Sequence, residues 1–308
     1  MASANQTPTI RTEPASTTDG PAGPSTGSAH ENMPGMLGIV AGGGPFPAYV
    51  IRRCQAAGIP LYVLALKGAA DPDQLQDVPH GWSRPGAGAR ILRLLRGAGV
   101  ERLTMVGSVR RPSLLQFWPD LVMLGVMIRI GWRALFGGDD ALIKAVIPVV
   151  EAKGFDVVAI EEVLPDLLAV EGCYGRIVPD ADAERDIALG IKAAREVGRA
   201  DVGQGAIVEQ GAVLARENAA GTDAMLARLT DRDRDGPGGV LVKVAKPGQQ
   251  RKVDLPTIGA NTVERVAAAG LRGIAIEAGS ALVVDRENVA ATADDAGIFV
   301  IGVKVSGP

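Results

Sequence analysis

The sequence predicts an α/β protein of two domains, and three observations carry that prediction. Short apolar runs of β type alternate with helical patterns along most of the chain. The first of these runs meets a glycine-rich turn and then a helix, which is the opening of a βαβ unit. The length, 308 residues, suits about two domains of ordinary size.

In the N-terminal domain, expected over 36–164, the first strand is Leu37–Ala41, followed by Gly42-Gly43-Gly44. A helix is predicted from Pro45 to Ala57, with Tyr49, Val50, Ile51 and Cys54 on one face, and Gly58 stops it. Leu61–Leu66 is the second strand. Its unbroken apolar character implies a parallel sheet covered on both faces. A helix at about Gly88–Gly97 and a strand at Leu103–Val106 extend the pattern. Beyond them lie the turn Arg110-Arg111-Pro112 and an apolar helical region from Leu121 to Phe136. A helix at about Asp139–Lys153 and a strand at Val157–Ile160 complete the domain.

Pro165, Gly172, Gly175 and Pro179 then mark a connection over 165–181. The second domain, 182–308, opens with a helix at about Asp182–Val197. Strands follow at Ala206–Glu209, Ala212–Ala215, Val240–Val244, Gly273–Glu277, Leu282–Val284 and Ile298–Ile301. Helices are expected from Thr222, near Asn261–Ala269 and at Glu287–Ala296. Residues 1–35 are rich in Thr, Ser, Pro, Ala and Gly with no apolar run, so a disordered tail is expected there.

Composition removes several function classes. The net charge is only −3 and both signs are mixed along the chain, unlike the basic stripe of a nucleic-acid binder. Aromatics make up 4%, too few for base-stacking platforms. Cys54 and Cys173 are the two cysteines, which points to a reducing, cytoplasmic compartment. The two histidines are His30, in the tail, and His80, so a multi-histidine zinc site is excluded and any His-dependent nucleophile would have to use His80. Hydrolytic chemistry is left to carboxylates, lysines and an oxygen-liganded cation such as Mg²⁺ or Mn²⁺. The longest apolar run, Leu121–Ile128, is far short of the roughly 20 residues that span a bilayer.

Gly42, Gly43 and Gly44 occupy a βα turn where backbone N–H groups can meet a phosphate, or where the chain simply turns tightly. The dinucleotide fingerprint fails, because Pro47 stands at the third glycine position. Arg110 and Arg111 follow a strand end, where they either clamp phosphate or are solvated. The helix carrying Leu121, Leu124, Ile128 and Trp132 is either core or a groove for acyl chains or a membrane surface. Gly138-Asp139-Asp140 suits a helix cap.

The second domain gathers a denser set. Glu217 precedes Gly221-Thr222-Asp223-Ala224-Met225. Lys243 and Lys246 lie near a strand end, and Arg251-Lys252-Val253-Asp254 leads towards Thr257. Capping accounts for Asp223 or Thr257 singly, but not for acids and lysines collecting at successive element ends.

These stretches carry a resemblance to a known family. Gly38–Pro47, Gly138–Leu142, Asp201–Ala206, Gly221–Leu226, Lys243–Pro247, Arg251–Gly259 and Gly270–Gly279 stand in order. Together they resemble the UDP-2,3-diacylglucosamine pyrophosphatases of lipid A biosynthesis, from about Met36 to the C-terminus. The resemblance implies a Rossmann-like N-terminal domain and a second α/β domain, with the lipid held between them. It also implies metal-dependent hydrolysis of UDP-2,3-diacylglucosamine to UMP and 2,3-diacylglucosamine 1-phosphate. On that basis Asp223 is the residue most needed for turnover, with Glu217 or Asp254 beside it on Mg²⁺ or Mn²⁺. Lys243, Lys246 and Arg251 would offset phosphate charge. The sequence departs from the family pattern at Ala220, where Glu is common, and at Gln250, where Asp is common.

A homodimer is expected, with peripheral contact to the inner membrane as one use of the Leu121 helix. A nucleotide-dependent oxidoreductase and a non-catalytic lipid- or nucleotide-binding regulator are the rival functions.

Overall fold

The computed structural model describes residues 35–108, 120–130, 146–230, 236–246 and 255–305. They fall into two compact units that divide between Pro165 and Asp166.

The first unit is built on five parallel strands: β1 (Met36–Ala41), β2 (Leu61–Leu66), β3 (His80–Ser83), β4 (Val100–Val106) and β5 (Asp156–Val157). Their order is β3-β2-β1-β4-β5, so the chain steps outward from β1 and then returns to its other side. Helices α1 (Phe46–Ala56), α2 (Gly88–Gly97) and α3 (Leu121–Ile130) lie between them along the chain, and the short α4 (Ile160–Val163) follows β5. Leu37, Ile39, Val63 and Leu64 are fully buried, as covering both faces requires. Leu64, Leu95, Leu103 and Phe155 share one core cluster.

Two expectations change here. His80–Ser83, His-Gly-Trp-Ser, forms an edge strand where no strand is expected. With a single neighbour to satisfy, β3 needs no apolar run. The strand expected at Val157–Ile160 ends at Val157. The Ala159 N–H donates to Glu162 Oε1 at 3.1 Å, which starts α4 at Ile160.

Asp120 ties two helix starts together. Its Oδ2 accepts the Ala89 N–H of α2 at 2.7 Å, and its Oδ1 accepts the Met123 N–H of α3 at 2.9 Å. Burial raises the pKa of this carboxyl, but N–H groups from Met123, Ala89, Val122 and Gly88 outweigh burial and hold it below the ordinary range.

The second unit is a three-layer α/β/α sandwich. Its sheet runs β6-β13-β11-β9-β7-β8, from β6 (Gly172–Cys173), β7 (Gly205–Glu209), β8 (Ala212–Arg216), β9 (Val240–Lys243), β11 (Gly273–Glu277) and β13 (Phe299–Val303). Strands β9, β11 and β13 are parallel, while β7 opposes β9, β8 opposes β7 and β6 opposes β13. A separate parallel pair joins β10 (Thr257–Ile258) to β12 (Leu282–Val283). The stretch read as a connection thus supplies an edge strand, β6.

Alternation along the strands sorts side chains into two cores. Ala206, Val240, Val242, Ala275, Phe299 and Ile301 meet α5 (Ala181–Arg199) through Ala183, Ile187, Ile191 and Ala194. Ile207, Leu241, Ile274, Ile276 and Val300 face the other way. They meet Met225 and Leu226 of α6 (Gly221–Ala227), Val263 and Val266 of α7 (Ala260–Ala268), and Val289 and Ala293 of α8 (Arg286–Asp295). Asp180 caps α5, accepting the Ala183 N–H, and pairs with Arg272. That guanidinium first, and the capping N–H next, hold its carboxyl below the usual range. Asp186, on α5, is buried and accepts the N–H groups of Gln210 and Gly211 at 3.0 and 2.7 Å. Both turn residues have positive φ, 51° and 74°, so the β7–β8 hairpin closes with a type I′ turn.

Two outcomes follow for these units. Asp120→Ala is expected to cost about 1–2 kcal/mol at pH 7, since one side chain serves two helix starts. Because the folded pKa is depressed, that contribution is present above the unfolded value of about 3.9 and is lost as pH falls through the folded pKa, so urea midpoints of variant and wild type should converge in acid. Thiol labelling of the native chain should modify Cys173, which is exposed, and spare Cys54 until denaturant is added. Cys54 is fully buried, and burial, against the pull of Arg53 and Arg102, pushes its thiol up to about 11.

Candidate functional site

In open α/β sheets, ligands collect where parallel strands reach their carboxyl ends. In the second unit β9 ends at Lys243 and β11 at Glu277, and antiparallel β7 begins beside them at Gly205, paired with Lys243. The Val244 N–H continues the ladder onto the Gln204 carbonyl at 3.0 Å.

Four charged side chains arrive at this edge. Lys243 is 5% exposed, and its Nζ donates to the Thr257 carbonyl at 3.4 Å. Glu277 Oε2 accepts the Ala245 N–H at 2.9 Å, which fixes the chain as it leaves β9. Lys246 Nζ lies 3.0 Å from Asp201 Oδ1, just ahead of β7. Glu217 follows β8 and is 6% exposed.

The surroundings of Glu217 are made by glycine. A Cβ on Gly203 would sit 2.9 Å from the Glu217 backbone, and one on Gly205 would sit 3.1 Å from Glu217 Oε2 and 3.6 Å from Lys243 Cγ. The absence of side chains at both positions lets residue 217 close on the start of β7, where its N–H donates to the Gly205 carbonyl at 2.9 Å. Glu217 Oε2 accepts the Gln204 N–H at 2.9 Å, and Oε1 accepts the Thr222 hydroxyl at 2.7 Å. Gln204 Oε1 is buried with no partner among the described residues.

Thr222 and Asp223 stand in the first turn of α6, whose N-cap, Ala220, has no side-chain cap bond. Asn218 closes the approach to this helix, accepting the Ala220 N–H on Oδ1 at 2.9 Å and the Gly221 N–H on its carbonyl at 2.8 Å. Asp223 itself faces outward. Its side chain is 62% exposed and lies 3.7 Å from Arg265 Nε of α7. An exposed carboxylate on a helix start held from below is suited to engage a ligand that arrives from solvent.

Several residues singled out in the sequence have local partners. Thr257 Oγ1 donates to the Leu255 carbonyl at 3.0 Å. In the first unit the Gly42 N–H donates to the Val106 carbonyl at 2.9 Å and the Gly43 N–H to the Ser108 carbonyl at 2.7 Å. Two of the three glycine amides therefore close a bridge between the ends of β1 and β4, at the point where strand order reverses. A Cβ at Gly42 would meet the Ser108 carbonyl oxygen at 2.5 Å, so packing requires glycine there. Gly44 has φ of 92°, the left-handed region. His80 lies on edge strand β3, with Nδ1 2.9 Å from the Val78 carbonyl and its ring edge-on to Trp82.

Leu121 and Leu124 of α3 are 86% and 42% exposed, so neither belongs to the core. Ile128 falls in the same helix. Arg110, Arg111, Trp132, Gly138–Leu142, Arg251 and Asp254 lie outside the described residues. Gln204 was not picked out of the sequence as a site residue. The two glycines flanking it were the available signal.

Among the described residues, no three His, Cys, Asp or Glu side chains are grouped to hold a metal ion. No helix among them is long and apolar enough to cross a membrane.

The parallel sheet ordered β3-β2-β1-β4-β5, followed by an α/β unit with a charged strand-end edge, defines a two-domain α/β protein whose first domain is Rossmann-like. The family profile of the LpxI N-terminal domain matches residues 36–167, and that of the LpxI C-terminal domain matches 170–301. The chain is 42% identical over 273 residues to the UDP-2,3-diacylglucosamine pyrophosphatase LpxI of Caulobacter vibrioides, an alignment spanning 87% of this chain and 97% of that protein. The chain belongs to the LpxI family.

Gly203→Ala tests the glycine setting. The added methyl must displace the Glu217 backbone, so a loss of about 1–3 kcal/mol is expected by thermal or urea unfolding, against a much smaller effect for Gly97→Ala, whose added Cβ meets nothing within 4 Å.

Proposed function

We propose that this protein hydrolyses the pyrophosphate bond of UDP-2,3-diacylglucosamine, giving UMP and 2,3-diacylglucosamine 1-phosphate. The observation that carries the proposal is the outward-facing carboxylate of Asp223 on a helix start that is hydrogen-bonded, through Glu217, to the strand-end edge bearing Lys243. The activity of the Caulobacter vibrioides relative supplies the substrate.

In this proposal Asp223 engages the pyrophosphate region and holds the attacking water in place. Lys243, Lys246 and Arg251 offset the negative charge that phosphoryl transfer spreads over its oxygens. The amides of Gly42 and Gly43 are spent on β4 and take no part in gripping phosphate. Leu121 and Leu124 offer exposed apolar surface for acyl chains or for peripheral contact with a membrane. A homodimer remains part of the proposal.

A divalent cation, Mg²⁺ or Mn²⁺, would supply charge neutralisation at the pyrophosphate. The described residues do not form a cage for one. A cation there would be held by one or two carboxylates, Asp223 among them, and chiefly by the substrate's own oxygens.

Incubation of the full chain with UDP-2,3-diacylglucosamine should release UMP, and release should stop on adding chelator and resume with Mg²⁺ or Mn²⁺. Asp223→Ala should lower kcat by about 10²–10³-fold or more while the melting temperature stays near wild type, because the side chain is exposed. Near-normal turnover by that variant removes Asp223 from the mechanism. Chelator-insensitive turnover removes the cation.

A further inference from the structure

Glu217 presents a puzzle that its place in the sequence does not. A carboxylate buried to this degree is costly unless donors meet it, and an acid serving only as a cation ligand would have its oxygens turned towards the ligand. Here each oxygen meets a donor from a different segment: Oε2 takes the Gln204 N–H at 2.9 Å and Oε1 the Thr222 hydroxyl at 2.7 Å. One donor lies immediately before β7 and the other in the first turn of α6, next to Asp223. The Glu217 N–H adds a third tie, to the Gly205 carbonyl at 2.9 Å. Gly203 and Gly205 leave the room all three require.

The helix it holds needs such a tie. α6 has seven residues and no side-chain N-cap bond, so its first turn has little intrinsic stability. Its inner face is anchored by Met225 and Leu226. That packing fixes the far side of the helix, and the bond from Thr222 to Glu217 fixes the side on which the chain enters.

We propose that Glu217 is a positioning residue for the reaction: its buried carboxylate bridges the Gln204 amide and the Thr222 hydroxyl, and so fixes the first turn of α6 that presents Asp223. The role in turnover rests on the hydrolase function proposed above. The positioning of α6 does not, and the experiment separates the two.

Glutamine can reproduce the bridge without the charge. Its Oε1 accepts the Gln204 N–H, and its Nε2 donates to Thr222 Oγ1. Alanine can make neither bond. Misplacing a reacting group by about 1 Å costs on the order of 10²-fold, so Glu217→Ala should lower kcat about 10–100-fold with KM within about threefold of wild type. Glu217→Gln should recover to within about threefold. Thr222→Val, at the partly buried other end of the bridge, should fall as the alanine variant does, and Thr222→Ser should recover. The Mg²⁺ concentration giving half-maximal activity should stay within about threefold throughout, because no ligand is lost.

Hydrogen exchange of residues 221–227, followed by mass spectrometry on the full chain, reads the positioning without any substrate. It should quicken about tenfold in Glu217→Ala and Thr222→Val and return to wild type in Glu217→Gln and Thr222→Ser. If Glu217→Gln is as impaired as Glu217→Ala, or needs more than tenfold more Mg²⁺, Glu217 is a ligand and the proposal is overturned. Unchanged exchange in Thr222→Val overturns it too. A wild-type chain that releases no UMP defeats the hydrolase function alone, and the exchange data then decide the positioning.

Discussion

A carboxylate withdrawn from water has to be met by donors, and in the second unit Gln204 and Thr222 do this for Glu217. Residue 217 packs against Gly203 and Gly205, which explains two glycines on either side of Gln204 where β-forming residues would otherwise be favoured. Its two oxygens collect segments that are not adjacent in sequence, and its own amide returns to β7. The edge that carries Lys243, Glu277 and Lys246 is therefore continuous, by hydrogen bonds, with the helix that carries Asp223. Charge-assisted bonds of this kind are stronger than neutral ones, so the link resists competition from solvent.

The two glycine-rich stretches illustrate one physical use of glycine in different settings. At Gly42 and Gly43 the end of β1 meets the end of β4 closely enough for direct bonding, and a side chain at Gly42 would collide with the Ser108 carbonyl. At Gly203 and Gly205 the approaching group is an acid. Strand-to-helix glycines invite comparison with phosphate-binding loops, but the hydrogen-bond partners of Gly42 and Gly43 show that the junction with the end of β4 takes those amides first.

The architecture was legible where burial leaves a signature in composition. Leu61–Leu66 and Gly273–Glu277 were delimited from sequence with the ends the structure gives them, because strands covered on both faces read as near-continuous apolar runs. The edge strand β3 and the two-residue β10 left no such mark, since one neighbour and a few contacts are satisfied by His-Gly-Trp-Ser or Thr-Ile as well as by anything else. Of the site, the place of Asp223 in a helix start was readable from Gly-Thr-Asp. What Glu217 touches was not, because its partner at Gln204 is 13 residues upstream and is brought there by the β7–β8 hairpin. Asp120 was missed for a similar reason. Its bond to Ala89 spans 31 residues, and no local pattern announces that one acid serves two helices.

The turn at Gln210-Gly211 shows how a helix can take over work usually assigned to the turn itself. Hairpins of this type ordinarily depend on Asn or Asp followed by Gly, residues at ease with positive φ. Here glutamine occupies the first position, and Asp186 on α5 secures both amides from outside. Hairpin register is thus held in part from residue 186 and not by residue 210 alone. Sequence drift at 210 becomes tolerable in proportion as drift at 186 does not, and a search for hairpins by their turn residues alone would pass this one by.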